Sequence, residues 1–219
     1  MAVDIATAPF IMFVDSDDYI SQSAAASMLA RMQKDESDLV FGKHISFHDD
    51  GTCDDTYCKW MKNAVLSKKE AFHRLENKET FWFGTWGKLY KAEFFADVVF
   101  PPLICGEDTW VFPLILEQCD KVSILNQDVY YYYQRQDSIV HSHSERKKKD
   151  DLEATLHMTA RLWENGYEKG AQRWYQLAVH RGYHLKNKME ARRLFKQYLN
   201  TDSQRKLMWP QDLKTKVKG

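Results

Sequence analysis

The sequence predicts an α/β fold: a mixed sheet with flanking helices, followed by a C-terminal α-helical region. Three observations lead to it. Between residues 10 and 134, short runs of β-forming residues alternate with segments of helical periodicity, the pattern of strands covered by helices. Beyond Ser144 only helical periodicity remains. The charge changes sign at the same place: residues 1–144 carry 13 Lys+Arg and 22 Asp+Glu, whereas residues 145–219 carry 18 and 9. An acidic body meets a basic tail, and the predicted division is 1–144 and 145–219.

Phe10 to Val14 is an unbroken apolar run of strand length. Ser21 can cap a helix in which Ala25, Met28, Leu29 and Met32 recur at helical spacing. Residues 38–47 (DLVFGKHISF) are rich in β-formers and predict a strand, and the Asp-, Gly- and Cys-rich stretch 49–58 predicts a loop. Ser67-Lys-Lys-Glu70 is a capping box ahead of Ala71, Phe72 and Leu75, so a short helix follows. Residues 80–91 mix aromatics with two glycines and read as a loop entering a short strand at Lys88 to Tyr90. Gly106-Glu107-Asp108 precedes an apolar helical segment, Trp110 to Leu116, which Pro113 is expected to kink or shorten. Val122 to Leu125 and Val129 to Gln134 predict two strands, the second with consecutive tyrosines suited to packing on both faces. In the tail, Leu156, Ala160, Trp163 and Tyr167 share one helical face. Ala191, Leu194, Phe195, Tyr198 and Leu199 form another stripe, opposite Arg192, Arg193 and Lys196.

The composition, 44% hydrophobic and 28% charged, is that of a soluble globular chain of 219 residues. No apolar run approaches the roughly 18 residues that span a bilayer, and no signal-peptide pattern opens the chain. Cys53, Cys58, Cys105 and Cys119 form no C-x-x-C pair and read as free thiols of a reducing compartment.

Val14 leads directly into Asp15-Ser16-Asp17-Asp18. A strand that delivers clustered carboxylates at its end can hold a hard divalent cation against a phosphate, because Mg²⁺ and Mn²⁺ prefer oxygen ligands. The same residues also suit a polar turn after a strand, and spacing alone leaves both readings open. His141 and His143 lie in a Ser-rich loop and read as solvated. His180 and His184 stand at i, i+4 but lack the glutamate of an H-E-x-x-H motif.

Five segments occur in order: residues 13–20 (FVDSDDYI), Asp38-Leu-Val, residues 86–91 (WGKLYK), residues 106–109 (GEDT) and residues 132–138 (YYQRQDS). Together they resemble the family 2 glycosyltransferases of the GT-A fold, the bacterial type that builds surface polysaccharides, over residues 2–140. The resemblance implies a truncated GT-A (Rossmann-like) mixed sheet. It also implies metal-dependent, inverting transfer of a sugar from a nucleotide-sugar donor, foremost a UDP-sugar, to a saccharide or lipid-linked acceptor. Asp17 matches the direct ligand of Mn²⁺ or Mg²⁺, with Asp15 beside it. Asp15, Ser16 and Asp17, with Arg135 and Ser138, match the donor and diphosphate contacts. Asp108 matches the general base, and Glu107, Trp86 and Lys88 match the region of acceptor and donor sugar.

These residue types suit the chemistry. Inverting transfer needs a base for the acceptor hydroxyl proton, which a placed carboxylate supplies for roughly 10²–10⁴-fold in rate. The departing nucleoside diphosphate gathers charge that a metal ion and an arginine can stabilise.

Family members open with a nucleotide-binding half of the sheet, and residues 2–9 resemble the helix and turn that come just before the metal-binding strand. The expectation is therefore a truncated chain whose Phe10–Val14 strand exposes an edge, compensated by homodimerisation. The alternative function is a non-catalytic acceptor-binding or assembly module. The expected location is cytoplasmic, with the basic tail either a solvated helical face or a contact to the inner face of an anionic membrane. No nucleic-acid reader motif is present.

Overall fold

The computed structural model describes residues 3–55, 61–76, 84–134 and 144–199. After a 3₁₀ turn at Val3–Ile5 come β1 (Phe10–Met12), β2 (Tyr19–Ile20), α1 (Ala24–Asp35), β3 (Leu39–Phe47), β4 (Cys53–Asp54), β5 (Ala64–Ser67) and α2 (Lys68–Glu76). Then follow β6 (Lys88–Lys91), a 3₁₀ turn at Ala92–Phe95, α3 (Glu107–Leu116), β7 (Lys121–Tyr133), α4 (Glu145–Glu164), α5 (Glu168–His184) and α6 (Lys188–Tyr198). The strands form one mixed sheet in the order β1-β6-β3-β7-β2, with β4 on β3 and β5 on β7. Strands β3 and β7 run parallel, from Leu39 opposite Val122 to Phe47 opposite Tyr133, and the other pairings are antiparallel. Among the described residues β1 has one neighbour, β6, and stands at the end of the strand order.

Side-chain alternation decides which helices cover which face. Val40 of β3 and Leu89 of β6 point to α1, where they pack with Met28, Met32 and Tyr130. Leu39, Phe41 and Tyr90 point the other way, into a core shared with Phe72, Leu75, Val111 and Phe112 of α2 and α3. The same core continues into the tail through Leu152, Leu156, Trp174 and Leu194. The Trp174 indole N–H donates to the Leu75 carbonyl at 3.2 Å, and Arg161 Nε donates to Glu117 at 2.8 Å. Helices α4–α6 are thus packed onto the sheet body, although the composition changes at Ser144. No described helix is long and apolar enough to cross a membrane.

Local signals act as their chemistry dictates. The Ser67–Glu70 capping box forms: Ser67 N and Oγ donate to Glu70 Oε2 at 2.8 and 2.7 Å, and Glu70 N donates to Ser67 Oγ at 3.3 Å. Ser144 caps α4, its Oγ accepting from Lys147 N at 3.2 Å. The N-cap of helix α1 is Ser23, two residues beyond the expected Ser21, and the helix begins at Ala24. Helix α3 continues past Pro113 and ends at Leu116.

The segment predicted as two strands is one, β7, and its register against β3 shifts between Gly42 and His44. The polar residues Asn126, Gln127 and Asp128 broke the apolar pattern because they sit at this bulge, where β7 carries extra residues. Gly42 is the counterpart on β3: a Cβ there would stand 1.9 Å from Val129 Cγ2. Asp38 clasps three segments, accepting from Lys91 Nζ at 2.5 Å and from the backbone N–H groups of Asp120 and Lys121 at 2.8 and 3.1 Å. Burial alone would raise its carboxyl, but these donors hold it below the ordinary range.

Replacing Gly42 with Ala overpacks the β3–β7 contact and is expected to lower stability by about 1–3 kcal/mol in urea unfolding. Adding Val129→Ala should recover part of that loss, because the methyl groups that collide belong to this one side chain.

Candidate active site

The acidic loop follows β1 and is tied down by β7. The Tyr130 hydroxyl accepts from the Asp15 backbone N–H at 3.1 Å and donates to Asp18 Oδ2 at 2.6 Å. The other Asp18 oxygen accepts from Tyr133 N at 2.8 Å. Asp18 therefore has both oxygens committed to holding the loop, and Asp15, Ser16 and Asp17 are left on its exposed side. Burial of part of the Asp15 carboxyl, together with the charges of Asp108, Asp18, Asp17 and Glu107, raises it to about 6. Five carboxylates thus gather at the end of β1, and Asp15 carries their mutual repulsion.

Asp108 enters this cluster from the first turn of α3. Its N-cap, Gly106, has φ +85° and lies against Ala154 of α4, a conformation and a closeness that favour glycine. Thr85 Oγ1 donates to Asp108 Oδ1. Burial raises the Asp108 carboxyl, against the opposing effects of the Thr85 hydrogen bond and the Lys88 charge. A position in the first turn of a helix favours the ionised carboxylate, but burial outweighs the factors that hold the proton off. Glu107 is raised as well, by burial and by Asp108.

The loop before β6 supplies the remaining wall. Trp86 stacks on Tyr130 and Tyr132 with ring centroids 4.9 and 5.3 Å apart, and its edge meets His44 at 5.1 Å. Burial, with the nearby Lys88 charge, lowers His44 to about 4 and so keeps that imidazole neutral. The Lys88 side chain is buried, its ammonium bonded to the Gly84 carbonyl and 3.3 Å from that of Trp86, over the Phe41 ring. Lys88 thus fixes the Thr85–Trp86 loop from inside.

The structure gathers Asp15, Asp17, Glu107 and Asp108 in one acidic corner and stacks Trp86 on the tyrosines of β7, while Arg135 and Ser138 lie outside the described residues. Thr85 and Tyr130 were not singled out from sequence. Thr85 directly precedes Trp86, and Tyr130 belongs to the tyrosine run, but nothing local shows that their hydroxyls reach residues 23 and 112 to 115 positions away.

No group of three or more His, Cys, Asp or Glu among the described residues is arranged to hold a metal ion unaided. The donor set nonetheless fits a hard cation. Asp15 and Asp17 are hard oxygen donors in a corner of unbalanced negative charge, and Mg²⁺ is usually held by one or two carboxylates plus substrate phosphates.

Residues 1–94 match the family model described as glycosyl transferase family 2. The glycosyltransferase GlyA of Streptococcus pneumoniae serotype 4 is 27% identical over 136 residues, covering 59% of this chain and 20% of GlyA. The glycosyltransferase GlyG of the same organism is 24% identical over 147 residues, covering 64% of this chain and 48% of GlyG. The chain therefore spans about a fifth and about half of these two relatives. Crystal structures of residues 1–349 of S. aureus TarS share the fold at 18% identity. The complex with UDP-GlcNAc has a TM-score of 0.65, with 90% of this chain and 58% of that one covered. The complex with UDP has a TM-score of 0.61, with 90% and 56% covered. The chain is thus similar to glycosyl transferase family 2 over residues 1–94 and shares its fold with the TarS structures.

Proposed function

We propose that this chain transfers a sugar from a nucleotide-sugar donor, a UDP-sugar first among them, to a saccharide or lipid-linked acceptor in surface polysaccharide biosynthesis. The observation that carries the proposal is the meeting of Asp108 with the Asp15–Asp17 loop, two segments more than ninety residues apart, in one acidic corner. Asp108 takes the proton of the acceptor hydroxyl as that oxygen attacks the anomeric carbon. The bond from the anomeric carbon to the diphosphate breaks on the opposite face, so the configuration inverts. Burial raises the affinity of Asp108 for that proton, and Thr85 fixes the carboxylate that receives it. Glu107 lines the acceptor side, and Trp86, locked between tyrosines and His44, faces the sugar. Lys88 acts through the loop it holds. Asp15, Ser16 and Asp17, with Arg135 and Ser138, meet the diphosphate. Asp15 and Asp17 would hold Mn²⁺ or Mg²⁺, which when bound neutralises charge on the leaving diphosphate.

A second reading, a non-catalytic acceptor-binding or assembly module, is favoured by one observation: β1, the strand that carries the acidic loop, has a single neighbour among the described residues. Homodimerisation through that edge and contact of the basic tail with an anionic membrane belong to the same set of proposals. Sugar transfer by the purified chain removes the second reading.

Calorimetric titration of Mn²⁺ with UDP-sugars should show binding that Asp17→Asn abolishes; no binding by either protein defeats the proposal of a donor site in this chain. Asp108→Asn should lower kcat about 10²–10⁴-fold while UDP binding is retained. Thr85→Val removes a hydrogen bond that opposes protonation of Asp108, so the acid limb of the rate profile should move to higher pH. The proton on Asp15 must leave before a cation binds. Affinity for Mn²⁺ with UDP should therefore fall as the pH drops through about 6, and Asp15→Asn should remove that step.

A further inference from the structure

A cleft of about 590 Å³ opens where the loop after β6 meets α3, α4 and α6. It lies apart from the acidic corner: Trp110 and Leu114 of α3 line it, whereas Asp108, on another side of the same helix, turns to Thr85. Its walls are cross-linked by hydrogen bonds and ring contacts. Asp150, buried in α4, accepts from Ile104 N at 2.9 Å and from Arg146 Nε at 3.1 and 3.0 Å. Arg146 also donates to the Pro102 carbonyl at 2.9 Å, so the loop is fastened to α4 at two points. Trp110 is backed by His157, stacked at 3.9 Å and 5°, and Tyr198 stands edge-on to Trp110 at 5.7 Å. Burial, with the charge of Arg161, lowers His157 to about 4, so the backing ring is neutral. Tyr198 is held in turn by its hydroxyl donating to Glu153 at 3.1 Å.

The polar lining decides the ligand chemistry. The two cations are already matched, Arg146 by Asp150 and Lys149 by Glu190 at 3.4 Å. Asp97 adds oxygen acceptors beside the aromatic pair, as do Glu153, whose Oε1 also accepts from Tyr198, and Gln197, whose Oε1 also accepts from Arg193 at 2.9 Å. An anion would meet spent cations and carboxylates, and a purely apolar ligand would strand those acceptors. A neutral saccharide satisfies both parts: its C–H faces pack on an aromatic wall and its hydroxyls donate to carboxylate and amide oxygens.

We propose that this cleft is a second saccharide-binding site, separate from the acidic corner, which grips a neutral stretch of the acceptor glycan away from its reacting end. The proposal rests on the reading that the acceptor is a saccharide. Binding here requires neither donor nor cation, so it can be tested without turnover.

The whole chain would be titrated with chitotetraose, maltotetraose and a galactose tetramer, following the Trp110 indole N–H by NMR, assigned with Trp110→Phe. Saturable movement of that signal at millimolar sugar is expected with at least one tetramer. It should be unchanged by UDP or by Asp17→Asn and weakened about fivefold or more by the surface pair Asp97→Ala and Gln197→Ala, as for lost hydrogen bonds. No movement with any tetramer, or equal binding by the double variant, overturns the proposal. Movement with pyrophosphate instead would overturn the assignment to neutral sugar. Loss of transfer in Asp108→Asn with sugar binding intact separates the fate of this site from that of the catalytic reading.

Discussion

Strand β7 pairs in parallel with β3 from Val122 to Tyr133, takes β5 along its first half and β2 along its second, and projects Tyr130 beneath the acidic loop. These contacts together fix the site. The loop after β1 has no regular structure of its own, and its carboxylates repel one another. The Tyr130 hydroxyl and the Tyr133 amide hold Asp18 and the Asp15 backbone against that repulsion. If the register of β7 slipped by one residue, Tyr130 would turn to the opposite face and the loop would lose its anchor. At the bulge, Gly42 leaves the room that Val129 occupies in this register.

The acidic corner stores electrostatic strain that suits a cation and an anionic substrate. Asp15 is raised to about 6 by partial burial and by the carboxylates that crowd it, and Asp108 is raised because it is buried. Gathering negative charge in one corner is unfavourable, and the surrounding fold bears the cost. Here the tyrosine anchor, the Thr85 bond and the buried Lys88 ammonium share that cost.

The ordered motifs divide into two kinds once the contacts are known. Asp15, Asp17 and Asp108 belong to the acidic corner. Asp38 and Lys91, which stood in the same ordered set, pair with each other and clamp β3 to β6 and to the start of β7. The motif resemblance therefore mixes residues that hold the fold with residues that gather in the acidic corner.

The sequence by itself determined the main strands and helices, the Ser67–Glu70 capping box, the change to helices after Ser144 and the carboxylates of the acidic loop, but not the short strands β2, β4 and β5, of which β4 lies in the stretch 49–58 expected to be a loop. These are local properties, set by periodicity and side-chain chemistry over a few neighbouring residues. Tertiary structure alone decided that the two predicted strands at 122–134 are one bulged β7, since bridging that polar interruption required β3 as a template. It alone decided that Thr85 meets Asp108, that Lys88 turns inward, and that the basic tail shares the core of the acidic body. Each of these depends on a contact between segments distant in the chain, made by side chains whose types are common in loops and carry no local signature of the partner they will meet.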